Sequence, residues 1–382
     1  MQLGALKGIM VLDLTRVLAG PFCTMLLAEL GARVIKIEAP PAGDDSRQFG
    51  PFMGGASAYF LSLNRGKESL VLNLKEPGDR ALFMRLVARA DVLVENFRPG
   101  AMERLGLGWE QLHERHPRLI YAALSGFGQT GPRASQPAYD LVIQAMGGIM
   151  SLTGQPGAPP ARVGSSIGDI TAGLYCALGV NAALYHRERT GQGMLVDVSM
   201  LDCQVAILEN ALARLAAEGS PPGPLGARHP SITPFDTFRA ADGWLAICAG
   251  NDRLFAELAR VLGRPGLAED TRFNDNHSRT QNHAALKAEM ETLLAAHPAE
   301  HWLAKLQKAG VPCGPVNDVA QLKAEPQVAA RNMLVNMPIG GDAFIEVAGN
   351  PIKFSAFPDP ATRPAAPELD ADRRNILDEL EP

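Results

Sequence analysis

One aspartate stands where a carboxylate could act as a nucleophile. In Arg162-Val-Gly164-Ser-Ser-Ile-Gly168-Asp169-Ile-Thr-Ala-Gly173 a glycine-spaced loop delivers Asp169 to an apolar-periodic segment, Leu174 to Tyr185, which ends in His186-Arg-Glu-Arg-Thr-Gly191. This pattern predicts a helix with Asp169 at or just before its first turn and Gly191 as its stop. Two roles for Asp169 follow. It is either an ordinary N-cap, accepting a free backbone N–H, or a nucleophile whose substrate reaches the backbone past the glycines. In the second role the helix N-terminus keeps the group ionised and offers N–H donors to an oxyanion. Positive charge for a phosphate-bearing ligand could come from Lys75, Arg98 and Arg104; without a ligand these are solvated surface cations.

The elements that must position these groups alternate. Ile9–Leu14 is a short apolar run fit for a buried strand, Pro21 suits the start of a helix that runs to Leu30, and Arg33–Glu38 is the next strand. Strands over Ser69–Asn73, Asp91–Glu95, Leu119–Ser125 and Met194–Ser199 follow, with helices over Pro77–Arg89, from Ala101, over Leu141–Met146 and over Leu201–Glu218. This βαβ alternation predicts an α/β fold with a large, Rossmann-like parallel sheet. Ligands of such sheets sit outside the C-terminal strand ends. That rule places Arg16 to Leu18, Asn73 to Lys75, Asn96 to Arg98 and Gly126 to Gly131 on one rim. Glu38 ends the second strand as a ribose-binding acid would, yet the first turn lacks G-x-G-x-x-G. That spacing does occur at Gly126-Phe-Gly128-Gln-Thr-Gly131, but Pro132 and Pro137 forbid the helix it should open. A loop able to cover a ligand is the better reading.

Residues 1–219 thus form the large domain, 220–227 a Pro/Gly linker, and 228–326 a smaller α+β domain. In the latter, Gly243–Cys248 reads as a strand and Asn251–Leu262, His283–Ala295 and Pro298–Ala309 as helices; Arg228-His229 reads as a surface pair. From Gln327 onward helix gives way to a proline-rich tail. A length of 382 residues predicts about two or three domains. The net charge of −5 disfavours nucleic acid as a partner, because that needs a basic face. Five cysteines without a C-x-x-C pair point to neither zinc nor a disulfide framework. With no charged-then-apolar leader and no run of about 18 apolar residues, the expected setting is cytoplasmic, with no membrane partner.

Taken together, Ala19-Gly20-Pro21, Val94-Glu-Asn-Phe-Arg-Pro-Gly100, Ser125-Gly-Phe-Gly128, Pro137-Ala-Tyr-Asp140, Asp169 in its glycine loop and Gly310-Val-Pro312-x-Gly314-Pro315-Val resemble the class III CoA-transferases. This is the CaiB/BaiF or formyl-CoA:oxalate group, and within it the oxalate CoA-transferases that use acetyl-CoA. The resemblance runs in order along nearly the whole chain. It implies that residues 327–382 return to complete the large domain and that two chains interlock as a homodimer. It implies Asp169 as nucleophile, and CoA contacts at Val17, Leu18, Leu72, Asn73, Lys75, Asn96, Phe97, Arg98, Arg104, Ala138, Tyr139 and Asp140. CoA thioester is then a substrate, and no cofactor or metal is expected. The implied reaction moves CoA from acetyl-, formyl- or succinyl-CoA to a small carboxylate, oxalate or another dicarboxylate, through an aspartyl anhydride and an aspartyl–CoA thioester. Three departures stand out. An arginine often follows the second strand, where this chain has Ala39. The formyl-CoA enzyme's glutamine near the active site is Leu18 here, which weighs against formyl-CoA as donor. That enzyme's tetraglycine loop has no match after Cys248. Two other activities fit less well. A 2-methylacyl-CoA racemase of the same superfamily needs an acid and a base on opposite faces of the α-carbon, but its histidine falls at Tyr139. The other is a non-catalytic CoA- or nucleotide-binding protein, which tight CoA binding without any acyl exchange would support.

Overall fold

The computed structural model describes residues 4–381. The chain divides into two compact units. One comprises Met1–Ser151, Ala161–Pro222 and Pro326–Pro382; the other comprises Leu152–Pro160 and Gly223–Glu325.

The first unit is built on six strands, β1 (Met10–Asp13), β2 (Arg33–Glu38), β3 (Glu68–Val71), β4 (Val92–Glu95), β5 (Ile120–Ser125) and β6 (Leu195–Ser199). Their order is β3-β2-β1-β4-β5-β6, and every pairing is parallel. Helices cover both faces, so the strands carry nearly continuous apolar runs and not an alternation. Along β4, Val92 and Val94 enter one core and Leu93 the other; along β5, Ile120, Ala122 and Leu124 oppose Tyr121 and Ala123.

The first of these cores is closed by α1 (Ala19–Glu29) and by the longest helix of the unit. With α2 (Asp140–Met146) named between them, that helix is α3 (Ile167–Thr190). Its Ala172, Gly173, Cys176, Ala177, Val180, Ala183, Leu184 and Arg187 are buried, the spacing of one helix face. Gly191 ends it in the left-handed conformation, donating its N–H to the Arg187 carbonyl at 2.8 Å. By length and composition alone α3 would suffice to cross a membrane; here one side lies against α1 and the sheet, and Leu174, Leu178 and Tyr185 on the rest of it are exposed.

Two expectations are corrected. The helix foreseen over Leu201–Glu218 is two helices, Met200–Ala206 and Ala211–Glu218, separated where Glu209 adopts φ +54°. The proline-rich tail also carries structure. Leu334–Pro338 and Phe344–Ala348 form an antiparallel pair, and Arg373–Leu380 is a helix whose Ile376 and Leu380 are buried in the second core. Just before it, Asp372 accepts the Ser69 N–H at 2.8 Å and Asp370 the Val71 N–H at 2.7 Å. The outer edge of β3 is therefore satisfied by side chains instead of another strand.

In the second unit, β7 (Phe235–Arg239), β8 (Trp244–Cys248) and β9 (Cys313–Pro315) form an antiparallel sheet in the order β9-β8-β7. Helices Asp252–Val261, His283–Leu294 and Ala299–Lys308 pack on it around Phe238, Leu245, Phe255, Met290 and Trp302. Asn251 caps the first of them, its Oδ1 accepting the Leu254 N–H at 2.9 Å.

Ile376 anchors the returning tail, so Ile376→Ala is expected to lower the unfolding free energy by about 2–5 kcal/mol. Urea titration followed by circular dichroism measures this, and an unchanged midpoint would show that the tail is not part of the cooperative unit.

Candidate active site

The sheet order reverses between β1 and β4, and in doubly wound sheets this switch point opens a crevice at the C-terminal strand ends. A cleft of about 500 Å³ lies there. It is lined by Arg16, Val17, Leu18 and Ala19 after β1, by Asn96, Phe97, Arg98, Ala101 and Arg104 after β4, and by Ser125, Gly126, Ala138, Tyr139 and Asp169. A second cavity of about 500 Å³ is lined by Gln48, Phe49, Tyr59, Asp140, Leu141, Arg162 and Ser166. Val17, Asp45, Tyr139 and Asp169 line both, so the two spaces meet at Asp169.

Asp169 is the third residue of α3 and does not cap it. Ser166 occupies the cap position without a side-chain bond, and the Gly168 N–H is taken instead by Asp140 Oδ1 at 2.9 Å. Among the described residues no hydrogen bond or ion pair engages the Asp169 carboxyl. Burial, with the Asp140 carboxylate adding to it, pushes the Asp169 carboxyl up to about 7. The helix N-terminus was expected to keep it ionised; desolvation and a like charge act in the opposite direction. Asp140 is itself held by Gln144 Nε2 at 2.8 Å and lies 3.6 Å from an Arg162 guanidinium nitrogen. Tyr59 faces the same carboxylates: burial first, then Asp169, pushes its hydroxyl up to about 12.

The helix bearing Asp169 is set close against α1. A Cβ on Gly173 would lie 2.7 Å from the Ala19 carbonyl oxygen, so only glycine allows these two N-terminal ends to meet. The loop leading into α1 is tied at each residue. Asn96 accepts the Arg16 N–H and donates to the Arg16 carbonyl, both at 2.9 Å. Lys36 Nζ donates to the Thr15 carbonyl at 2.7 Å, and Asp44 Oδ1 accepts the Val17 N–H at 3.1 Å. Val17 has φ +67°, a left-handed conformation that costs a β-branched residue about 1–3 kcal/mol.

The structure thus gathers Val17, Leu18, Asn96, Phe97, Arg98, Arg104, Ala138, Tyr139 and Asp169 around one cleft, with Asp140 in the adjoining cavity. Leu72, Asn73 and Lys75 line neither. They follow the edge strand β3, two strands from β1 and so about 10 Å aside; Leu72 is in the core and Lys75 is exposed. Among the described residues the Arg98 and Arg104 side chains meet no carboxylate, whereas Arg16 is 3.1 Å from Asp45. Glu38 lines neither space. It is buried, takes Arg47 at 2.7 and 2.8 Å and accepts Ser69 Oγ at 2.6 Å, which leaves it no part in ribose binding.

The sequence profile of CoA-transferase family III matches residues 6–373. The chain belongs to CoA-transferase family III. Acetyl-CoA:oxalate CoA-transferase of Acetobacter aceti is 54% identical to this CoA-transferase over 96% of the chain and 93% of that protein. Succinyl-CoA:mesaconate CoA-transferase of Haloarcula hispanica is 43% identical over 99% and 96%. The crystal structure of a CAIB/BAIF family protein from Brucella suis superposes with a TM-score of 0.89 at 40% identity, covering 100% of both chains.

Reading the sequence of this CoA-transferase missed Asp45, Gln48, Phe49 and Tyr59 as cleft residues. They lie between β2 and β3 on elements too short to show a periodicity, Asp45 and Gln48 on a single 3-10 turn (Asp45–Gln48) and Tyr59 on a two-turn helix (Ala58–Asn64). Arg162 was in view at the head of the Asp169 loop, but only the fold turns it toward Asp140.

Carbon-13 NMR of labelled aspartate is expected to show Asp169 titrating near 7. Asp140→Asn removes the like charge and keeps an oxygen for the Gly168 N–H, so the midpoint should move down while staying above the ordinary 3.8. A midpoint near 4 in the unaltered protein would contradict the burial argument.

Proposed function

We propose that this CoA-transferase moves CoA from an acyl-CoA donor to a small dicarboxylate, with oxalate as the leading acceptor, and that Asp169 is the nucleophile. The observation that carries this reading is the Asp169 carboxyl itself, unengaged and shared by two adjoining cavities. The relatives whose names specify oxalate and mesaconate as acceptors support the dicarboxylate class. Leu18 in place of glutamine favours acetyl- or succinyl-CoA over formyl-CoA as donor.

In this reading Arg98, Arg104 and Arg16 face the phosphates of CoA, Lys75 meets the outlying nucleotide end, and the thioester reaches Asp169 past Val17 and Leu18. An Asp169 oxygen attacks the thioester carbonyl carbon; the C–S bond breaks and CoA leaves as thiolate. The thiolate then attacks the aspartyl carbonyl of the resulting anhydride, which frees the donor acid as carboxylate and leaves an aspartyl–CoA thioester. The acceptor carboxylate attacks that thioester, and the released thiolate takes the acceptor acyl group, regenerating Asp169. Each exchange trades one activated acyl bond for another, so the protein has chiefly to hold the partners together and keep water out. The cavity bearing Tyr59, Tyr139 and Arg162 is assigned to the acceptor, and Arg162 is the cation it offers a carboxylate.

Acyl-CoA with hydroxylamine should yield a modified Asp169 by peptide mass spectrometry, and Asp169→Ala should reduce transferase activity at least about 1000-fold, the scale on which lost catalytic groups are felt. Because only the ionised carboxyl attacks, kcat/KM should fall tenfold per pH unit below about 7. An Asp169→Ala protein at full rate ends the assignment. Activity across acetyl-, succinyl- and formyl-CoA against oxalate, succinate, formate and acetate identifies the pair.

We propose further that two copies interlock. Leu174, Leu178 and Tyr185 form an exposed apolar stripe on α3, larger than a monomer's isolated surface residues require. Light scattering is expected to give twice the chain mass; a monomer at micromolar concentration would refute the pairing.

A further inference from the structure

We infer that Asp44 is a positioning residue for the reaction, holding Val17 in its left-handed turn in front of Asp169. The inference rests on Asp169 being the nucleophile. Among the described residues four other than glycine have positive φ: Val17, Glu209, Asn332 and Asp370. Val17 is the β-branched one, for which this region is a true outlier, whereas Asn and Asp enter it readily. It is also the one that lines both cavities. A residue stays in such a conformation only where its surroundings over-determine it.

Those surroundings are a buried ion pair. Asp44 Oδ1 accepts the Val17 N–H at 3.1 Å and is held by the Ser46 N–H at 2.9 Å and Ser46 Oγ at 2.7 Å. Asp44 Oδ2 lies 2.9 Å from Lys36 Nζ, both side chains being almost wholly buried. Lys36 in turn donates to the Thr15 carbonyl two residues before Val17. The pair therefore grips the turn at both ends, and it does so from behind, since neither Asp44 nor Lys36 lines either cavity. Asp44 touches no substrate; it sets where Val17 sits between the two reacting partners. Without it Val17 relaxes to negative φ, the wall beside Asp169 shifts, and the approach of thioester to carboxylate is lost while the distant arginines still hold CoA.

The test compares Asp44→Ala, Val17→Pro and the double variant Asp44→Ala/Val17→Gly in the full chain, with kcat and KM for acyl-CoA and the rate of hydroxylamine trapping at Asp169. Asp44→Ala should lower kcat about 10- to 100-fold, the cost of a misplacement near 1 Å, with KM changed less than about threefold. In the double variant glycine takes the same φ without steric cost, so kcat should recover by about tenfold over Asp44→Ala. Val17→Pro leaves the buried charges intact but excludes both the positive φ and the N–H, and should lose kcat to a similar extent; it carries the test if Asp44→Ala does not fold. A double variant as slow as Asp44→Ala, a KM that rises as kcat falls, or Val17→Pro at full rate each overturn the inference. Trapping at Asp169 in the unaltered protein is read alongside: if it is absent, the nucleophile assignment has failed, and if it is present while the variants depart from these outcomes, only the role of Asp44 has.

Discussion

Four charges buried at the head of the sheet, Asp13, Lys36, Asp44 and Lys67, set the geometry of everything around the cleft. Lys67 Nζ donates to Asp13 at 2.9 Å, Thr24 Oγ1 at 2.7 Å and Asn64 Oδ1 at 2.9 Å. Burial pushes it down to about 8 even so. Burial alone would raise Asp13, but Lys67 and Lys36 hold it far below the usual carboxylate range. Removing one partner of such a pair strands a charge in a dry interior at a cost of about 3–5 kcal/mol. The cluster therefore tolerates little adjustment. It joins β1, β2, α1 and the segment after β2, which are the pieces that carry the loop from Thr15 to Leu18 to its place beside Asp169.

Asp169 occupies a compromise. In the proposed role of nucleophile it must be ionised, yet it must also shed its water, and desolvation favours the neutral form. Asp140 adds to the difficulty by supplying a like charge, but it also satisfies the Gly168 N–H. By capping α3 from a neighbouring helix it leaves the Asp169 oxygens uncommitted. The contact between α1 and α3 at Gly173 then fixes the carboxyl relative to the loop after β1. Anions are favoured at helix N-termini, and residues at the N-terminal ends of both helices, Leu18, Ala19 and Asp169, line the same cleft.

The sheet was legible because parallel strands buried on two faces read as nearly continuous apolar runs, as in Val92–Val94 and Ile120–Leu124. The position of Asp169 was legible because a glycine-rich approach and a Gly191 stop frame its helix. Its freedom was not, since the residue that caps α3 in its place, Asp140, lies far away in sequence. The tail helix was hidden for a simpler reason: Arg373–Leu380 buries only Ile376 and Leu380 among charged neighbours, too few for a periodic pattern. Gly126 to Gly131 matched a phosphate-binding spacing by chance, and the prolines after it rightly ruled out a helix. The cavity wall from Asp45 to Tyr59 had no signature, because its pieces, a single 3-10 turn, a two-residue strand pair and the start of a seven-residue helix, are too short for a periodic pattern.

The carboxylates of Asp370 and Asp372 on the rim of β3 bear on how the chain is made. Synthesis must pass through the whole intervening unit before those two side chains exist. Until then the outermost strand of the nascent sheet presents bare amide donors, the form of surface that recruits other strands. A chain interrupted shortly before residue 370 would leave the Ser69 and Val71 amides of that strand without their side-chain acceptors.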